Sequence, residues 1–191
     1  EGEISTSRKC TTTDTLTNGL NFVDGQYTYT YSEYNDGWIV VLTDKESTDS
    51  VTTKLCGTIN DKPIVSMYQM FYNSKATSLD LSSFDTSKVT NMYGMFQRSA
   101  ATILDLSSFD TSKVTNMRGM FNGSAATEVK GLQKFNTSNV ADMNHMFSYS
   151  AATSLDLSSF DTSNVTDMSS MFGGSAATEI KGLDKFNTSN V

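Results

Sequence analysis

Residues 155–172 read LDLSSFDTSNVTDMSSMF, and related stretches recur along the chain, complete at residues 79–96, 104–121 and 129–147 and in part before and after them. The dipeptide Met-Phe marks each copy, at residues 70–71, 95–96, 120–121, 146–147 and 171–172, so the spacings are 25, 25, 26 and 25 residues. A fixed period of this length is typical of repeat proteins, in which each unit packs against its neighbours. We therefore expect five stacked units over residues 63–191, with a sixth begun at Val191.

One half of each unit has helical spacing. Val89, Met92, Met95 and Phe96 lie at offsets 0, 3, 6 and 7, and at about 100° per residue they span an arc of about 120° on a helix. Residues 85–87, Asp-Thr-Ser, precede them and suit a helix N-cap. The spacing predicts a short helix in every unit.

The other half alternates polar and apolar residues, as in Ser78-Leu79-Asp80-Leu81-Ser82, which predicts a short strand. The predicted fold is therefore an α/β repeat solenoid, with a short parallel strand and a short helix in each 25- or 26-residue unit. Two units carry one extra residue, and we expect Gly131 and Gly182 to absorb it in a bulge.

Residues 1–62 have a different composition, since they hold the only tryptophan and both cysteines. Tyrosines alternate over residues 27–31, and residues 38–42 read WIVVL, which together predict an antiparallel hairpin. We expect a small β-rich head that caps the first repeat and ends at Pro63. The tyrosine row is either a half-buried packing face or an aromatic carbohydrate platform.

Cys10 and Cys56 are the only cysteines, and the pair suits one disulfide better than a metal site. Closing that loop would stabilise the fold by about 4 kcal/mol. The alternative is a pair of buried free thiols in a cytosolic protein.

Charge and hydropathy exclude two classes of partner. The net charge is −7, with 10 acids against 5 bases up to Lys62 and 11 against 9 afterwards, so a nucleic-acid surface is not expected. No stretch approaches the roughly 18 apolar residues that a membrane span needs. We expect a fragment of a longer protein, attached to a membrane only through an anchor outside it.

The run at residues 155–172 resembles the repeat of the BspA-like leucine-rich-repeat bacterial surface proteins, a family once described as a domain of unknown function. The similarity covers residues 63–191 and implies a leucine-rich-repeat-like solenoid at the bacterial cell surface, where adhesion to host or neighbouring cells is the usual proposal. Residues 99–102, Ser-Ala-Ala-Thr, depart from the Cys and Leu that many members carry after Met-Phe.

The sequence holds no constellation typical of an enzyme. His145 is the only histidine, and Gly94, Gly119 and Ser170 occupy its place in other units, so we expect no catalysis, no cofactor and no metal site. The recurring Asp85, Asp110 and Asp161 suit turns better than calcium ligands, although calcium stays an alternative. The recurring threonines, such as Thr86, also permit an ice-binding array.

The outward strand residues vary most between units, and we predict that they bind an extracellular protein or glycan. This sheet face comprises Ser78, Asp80, Ile103, Asp105, Glu128, Lys130, Ser154, Asp156, Glu179 and Lys181. The expected function is a non-enzymatic bacterial surface adhesin. The alternative is a self-assembling subunit or spacer of a surface filament, with a pilin-like head.

Overall fold

The computed structural model describes residues 8–11, 20–22 and 28–191. Within these ranges the chain forms ten β-strands and two 3-10 helices. The strands of the head are β1 (Arg8–Cys10), β2 (Leu20–Phe22), β3 (Tyr29–Tyr34), β4 (Gly37–Leu42), β5 (Cys56–Ile59) and β6 (Lys62–Ser66). The repeats contain β7 (Ile103–Asp105), β8 (Glu128–Lys130), β9 (Ser154–Asp156) and β10 (Glu179–Lys181), and the 3-10 helices span Leu132–Lys134 and Leu183–Lys185.

The head is a curled, mixed six-stranded sheet with the strand order β1-β5-β6-β4-β3-β2. The predicted hairpin is confirmed, because β3 and β4 pair antiparallel from Tyr29↔Leu42 to Tyr34↔Gly37. Its two-residue turn places Asn35 and Asp36 at φ 46° and 58°, the left-handed conformation that matches the twist of paired strands. Strands β5 and β6 form a second hairpin, which the sequence analysis did not anticipate.

The tyrosines of β3 form a packing face. Tyr29 and Tyr31 have no exposed surface, and their hydroxyls donate to the carbonyls of Thr53 (3.1 Å) and Cys56 (3.5 Å). Burial raises the pKa of both phenols well above the ordinary value. The carbohydrate platform is therefore wrong for these two residues, and Tyr27 lies outside the described residues.

The disulfide is confirmed. Cys10 of β1 is bonded to Cys56 of β5, with the two Cα atoms 5.8 Å apart. Strand β1 runs parallel to β5, so the bond ties the edge of the sheet to its neighbouring strand across a sequence separation of 46 residues.

The head also contacts the first repeat through its backbone. The Val51 N–H donates to the Ser78 carbonyl at 2.9 Å, and the Asp80 N–H donates to the Val51 carbonyl at 2.8 Å. The Tyr29 ring meets the Phe84 ring edge-on at 6.3 Å.

Pro63 lies inside β6. The division of the chain at residues 62 and 63 stays a prediction.

The predicted helix is wrong, and with it the α/β repeat solenoid, because the described residues contain no α-helix. In each unit, which we call a rung, the Met-Phe segment is a run of tight turns. The Met95 and Gln97 N–H groups donate three residues back, at 3.2 and 3.1 Å, while the Gly94 and Phe96 N–H groups reach the next rung, at 2.8 and 2.9 Å. Alternate donors thus bind rungs together instead of closing helical turns.

Left-handed residues explain why no helix forms. Each Met-Phe segment has two residues with positive φ, four positions apart, such as Gly94 (59°) and Arg98 (54°), or His145 (57°) and Tyr149 (53°). A residue with positive φ cannot continue a right-handed helix. The apolar residues were nevertheless placed correctly, because Val89, together with Met92, Met95 and Phe96 of the same rung, is fully buried.

The strands of the repeats are confirmed from the second rung onward, but their ladder is interrupted. Strand β7 pairs parallel with β8, and β9 pairs parallel with β10, as two separate sheets. The register of both pairs continues without a shift, so the expected bulge is wrong. The extra residue is instead taken up after the strand, where Gly131 (φ 95°) and Gly182 (φ 94°) precede the 3-10 helices.

The core of the stack is built from columns of equivalent side chains. Phe71, Phe96, Phe121, Phe147 and Phe172 stack ring on ring, with centroids 5.2–5.9 Å apart. Buried Val and Met residues fill the space beside them. Because each ring packs on its copies in adjacent rungs, stability is shared between neighbours.

Candidate functional site

The strands bring the predicted sheet-face residues to one side of the rungs. Eight of the ten are exposed, and Asp80 and Asp156 are half-buried. Ile103 keeps 49% of its surface exposed although it is apolar. The alternation along each strand explains the arrangement, since the intervening Leu104 and Leu155 are fully buried.

A groove of about 650 Å³ divides this face between β8 and β9. Glu128 and Lys130 of β8 line one wall, and Ser154 and Asp156 of β9 line the other. The two strands follow one another in the stack but belong to different sheets. Four predicted residues therefore surround one concave feature, while Glu179 and Lys181 of β10 do not line it.

Gly131 packs closely on the preceding rung. A Cβ atom at this residue would lie 2.7 Å from the Ser107 nitrogen and 2.8 Å from the Leu106 carbonyl carbon. The third rung can approach the second this closely only because residue 131 has no side chain. The same close approach occurs at Gly182, whose added Cβ would lie 2.7 Å from the Leu157 carbonyl carbon, so a glycine of this kind follows the second strand of each parallel pair, β7–β8 and β9–β10.

Charges on the sheet face are paired weakly. Glu128 and Lys130 lie 4.0 Å apart, and Glu179 and Lys181 lie 3.9 Å apart, with all four side chains more than half exposed. Ion pairs of this kind contribute little to stability. These charges are consequently available to a partner at small cost to the fold.

Comparison with known proteins gives the family of the chain. Residues 45–128 and 124–191 match the sequence profile of the family described as "Mycoplasma protein of unknown function, DUF285". The chain belongs to this bacterial family. No curated protein and no solved structure matches.

The acids of the DUF285 repeat form turns. Asp85, Asp110 and Asp161 each accept the backbone N–H of the serine two residues later, at 3.0 Å. Asn136 does the same for Ser138, at 3.1 Å. The serine hydrogen bonds hold the pKa of Asp110 and Asp161 below its usual range. Calcium binding stays a prediction, and the described ranges contain no group of three or more His, Cys, Asp or Glu residues that could hold a metal ion.

The threonines of the DUF285 repeat link one rung to the next. The Thr86 hydroxyl donates to the Asp110 carbonyl at 2.9 Å and accepts the Asp110 N–H at 2.8 Å. Thr111, Thr137 and Thr162 bind the following rung in the same way. All four are buried, so the ice-binding array is wrong for them.

The side chains of His145 and Asp44 make contacts with residues that lie close in the chain. The ring of His145 contacts the Asn144 side chain. A cavity of about 300 Å³ in the head is lined by Asp44 and Asp49, among others, and Asp44 accepts the N–H groups of Glu46 and Ser47.

Across residues 28–191 and the two short described segments before them, no helix is long and apolar enough to cross a membrane.

A second surface was missed in the sequence. Tyr68 and Tyr93, at equivalent positions of adjacent rungs, stack with ring centroids 5.1 Å apart. The Arg118 guanidinium of the following rung lies over the Tyr93 ring, 5.7 Å from its centroid. The signal was available, because three successive units place an aromatic or planar cationic side chain directly after the first Met.

Proposed function

We propose that this chain is a non-enzymatic binding module of the bacterial cell surface, an adhesin that contacts an extracellular protein or glycan through the part of its sheet face that lines the groove between β8 and β9. The observation that carries the proposal is the groove between β8 and β9. It combines the exposed side chains of Glu128, Lys130 and Ser154 with the half-buried Asp156, from two rungs.

Two further observations support an extracellular location. A disulfide joins Cys10 and Cys56, and such bonds persist in oxidising compartments. Residues 155–172 also resemble the repeat of BspA-like surface proteins. An anchor outside residues 1–191 would hold the module at the cell surface.

Binding assays with a matched pair of variants test the proposal. The purified chain is immobilised and exposed to mucins, matrix proteins and a glycan array, with and without calcium. We expect Glu128→Ala with Lys130→Ala to weaken binding by about tenfold or more, as loss of a central contact does.

The duplicated repeat supplies the control. Glu179→Ala with Lys181→Ala removes the same side chains from a strand of the same type that does not line the groove. This control is expected to bind as the unchanged protein does. Equal binding by both variants, or no binding to any of the ligands, would overturn the proposal. The filament role stays a prediction, which sedimentation of the purified chain at increasing concentration checks.

A further inference from the structure

The Met-Phe segments present a surface distinct from the sheet face. We call it the turn face and define it as four positions in each rung, beginning directly after the first Met. In chain order these are residues 68, 69, 72 and 73; 93, 94, 97 and 98; 118, 119, 122 and 123; 144, 145, 148 and 149; and 169, 170, 173 and 174. The twenty positions hold four Tyr, two Arg and the only His, with no Lys, Asp or Glu.

The turn face varies between rungs on a constant frame. Residue 68 and its equivalents are Tyr, Tyr, Arg, Asn and Ser, whereas the Met and Phe residues between these positions are the same in all five rungs. The frame is held by backbone bonds, for instance from the Gly94 and Gly119 N–H groups to the next rung, at 2.8 Å each. Most turn-face side chains are therefore not needed to join one rung to the next.

Several of these side chains are held rigid and remain accessible. Tyr68 is 41% exposed while its ring stacks on Tyr93, and Arg98 and Arg118 are exposed. Asn144 and Ser148, in the fourth rung, are buried because their side chains bind Asp167 and the Gly173 carbonyl. Tyr149 of the fourth rung is exposed as well, at 72%, but both arginines and three of the four tyrosines of the turn face lie in the first three rungs.

Charge separates the two ends of this surface. Residues 66–73, 91–98 and 116–123 include two arginines and no acid, although the chain carries a net charge of −7. The Lys45 ammonium adds positive charge beside them, donating to the Gln69 and Tyr72 carbonyls at 3.1 and 3.2 Å. Acids appear only in the fourth and fifth rungs, at Asp142 and Asp167. A negatively charged partner is complementary to the first three rungs.

We propose that this tyrosine–arginine patch, formed by Tyr68, Tyr72, Tyr93, Arg98 and Arg118, binds an acidic segment of another protein. Tyr and Arg are enriched, and Lys, Asp and Glu depleted, in the centres of protein interfaces. Tyr set among Ser, Gly and Asn is the composition of antibody binding loops. The site lies outside the sheet face, so it goes beyond the function proposed above.

Ring geometry favours a protein over a glycan. Stacking at 5.1 Å with an interplanar angle of 27° covers one face of Tyr68 and of Tyr93, and Arg118 lies over the Tyr93 ring. Neighbours from both adjacent rungs thus cover the Tyr93 ring, so its edge and hydroxyl, rather than a flat face on which a sugar could lie, are left for a partner. Arginine supplies paired donors that fit a carboxylate.

Selection from a displayed random-peptide library tests the patch. The full chain is used as bait, and acidic peptides are expected to be enriched. The affinity of these peptides is expected to fall by about tenfold or more in the double variant Arg98→Gln with Arg118→Gln. A similar fall is expected in the separate single variant Tyr93→Ala.

A control variant removes the same number of positive charges outside the turn face. Lys88→Gln with Lys113→Gln removes two exposed cations outside the turn face, and is expected to leave peptide binding unchanged. The groove variant Glu128→Ala with Lys130→Ala is also expected to retain it, so this proposal and the sheet-face proposal fail separately. Absence of acidic enrichment, an equal loss in the lysine control, or patch-dependent binding of sulfated oligosaccharides without peptide binding would overturn the proposal.

Discussion

Replacing Gly119 by Ala distinguishes the turns from the predicted helix by the sign of the stability change. In a helix this change would stabilise the protein by up to about 1 kcal/mol, because Ala is the better helix former. In the structure Gly119 has φ 58°, where an L-residue is strained by about 1–2 kcal/mol. The turn geometry therefore predicts a loss of stability.

The magnitude follows from the surroundings of Gly119. The nearest atoms to an added Cβ are Gln97 Oε1 and Asn122 Cβ, at 3.7 and 3.8 Å, which is ordinary contact distance. No clash adds to the backbone strain, and the unfolded chain loses about 0.4–1 kcal/mol of entropy in the opposite direction. We expect a net loss of about 1 kcal/mol.

Urea denaturation of the disulfide-bonded protein, followed by fluorescence and circular dichroism, measures this change. Ser170→Gly is the reciprocal control, since Ser170 occupies the equivalent position with φ 53° and is expected to become more stable as glycine. A stabilised Gly119→Ala variant, together with a destabilised Ser170→Gly variant, would refute the turn geometry and restore the helix.

Three further predictions follow from other contacts. Gly131→Ala should destabilise more than Gly119→Ala, by about 2–3 kcal/mol, because its Cβ would lie 2.7 Å from backbone; equal losses in urea denaturation would contradict the close approach. The pKa of Asp110 and of Asp161 is depressed in the folded protein. Their contribution to the free energy of unfolding is therefore present above the ordinary carboxyl pKa of 3.8 and is lost as the pH falls below that value. Asp110→Asn with Asp161→Asn should keep the turns and reduce this acid sensitivity in melting curves from pH 7 to about 2, whereas an unchanged pH profile would exclude these acids as its source. Reduction of the Cys10–Cys56 disulfide should lower stability by about 4 kcal/mol, and an unchanged unfolding midpoint would show that the bond does not constrain the unfolded chain.

Burial was predictable from the sequence where local geometry was not. The recurring apolar spacing of Val89, Met92 and Met95 predicts one buried side, and all three residues are fully buried. Offsets of 0, 3 and 6 fit one side of a helix, but they fit a run of three-residue turns equally well. Glycine at positions 94, 119, 123 and 174 was the discriminating signal, because glycine is unfavourable inside a helix and favoured at positive φ.

The alternation of polar and apolar residues predicts which strand residues face inward, but it does not predict which neighbouring strands pair. The alternation that places Ile103 and Ser154 on the outer face leaves Leu104 and Leu155 facing inward, and both leucines are fully buried. The pairing of β8 with β7 is accompanied by a close approach of Gly131 to the backbone of residues 106 and 107. That contact joins residues about one repeat apart, and no periodicity in the sequence encodes its distance.

The two candidate binding surfaces also differ in how far the sequence predicts them. Sheet-face residues such as Glu128 were identified from alternation, and the structure adds the groove that they line. The alternation of strand residues does not point to the tyrosine–arginine patch, in which Tyr68, Tyr93 and Arg118 share the position after the first Met in successive units. Alternate N–H groups that bind the next rung align copies such as Tyr68 and Tyr93, and this alignment stacks their rings at 5.1 Å.

The hydrogen-bonding scheme explains how one repeat can combine a fixed core with a variable surface. Backbone groups bind adjacent rungs at the turns, and buried threonines such as Thr86 and Thr111 bind them at the opposite end of the Val–Met–Phe segment. Neither kind of bond uses a turn-face side chain. Substitution at residue 93 or 118 therefore changes what the surface can bind at little cost to stacking, whereas substitution at Met95 or Phe96 opens a cavity that both neighbouring rungs share.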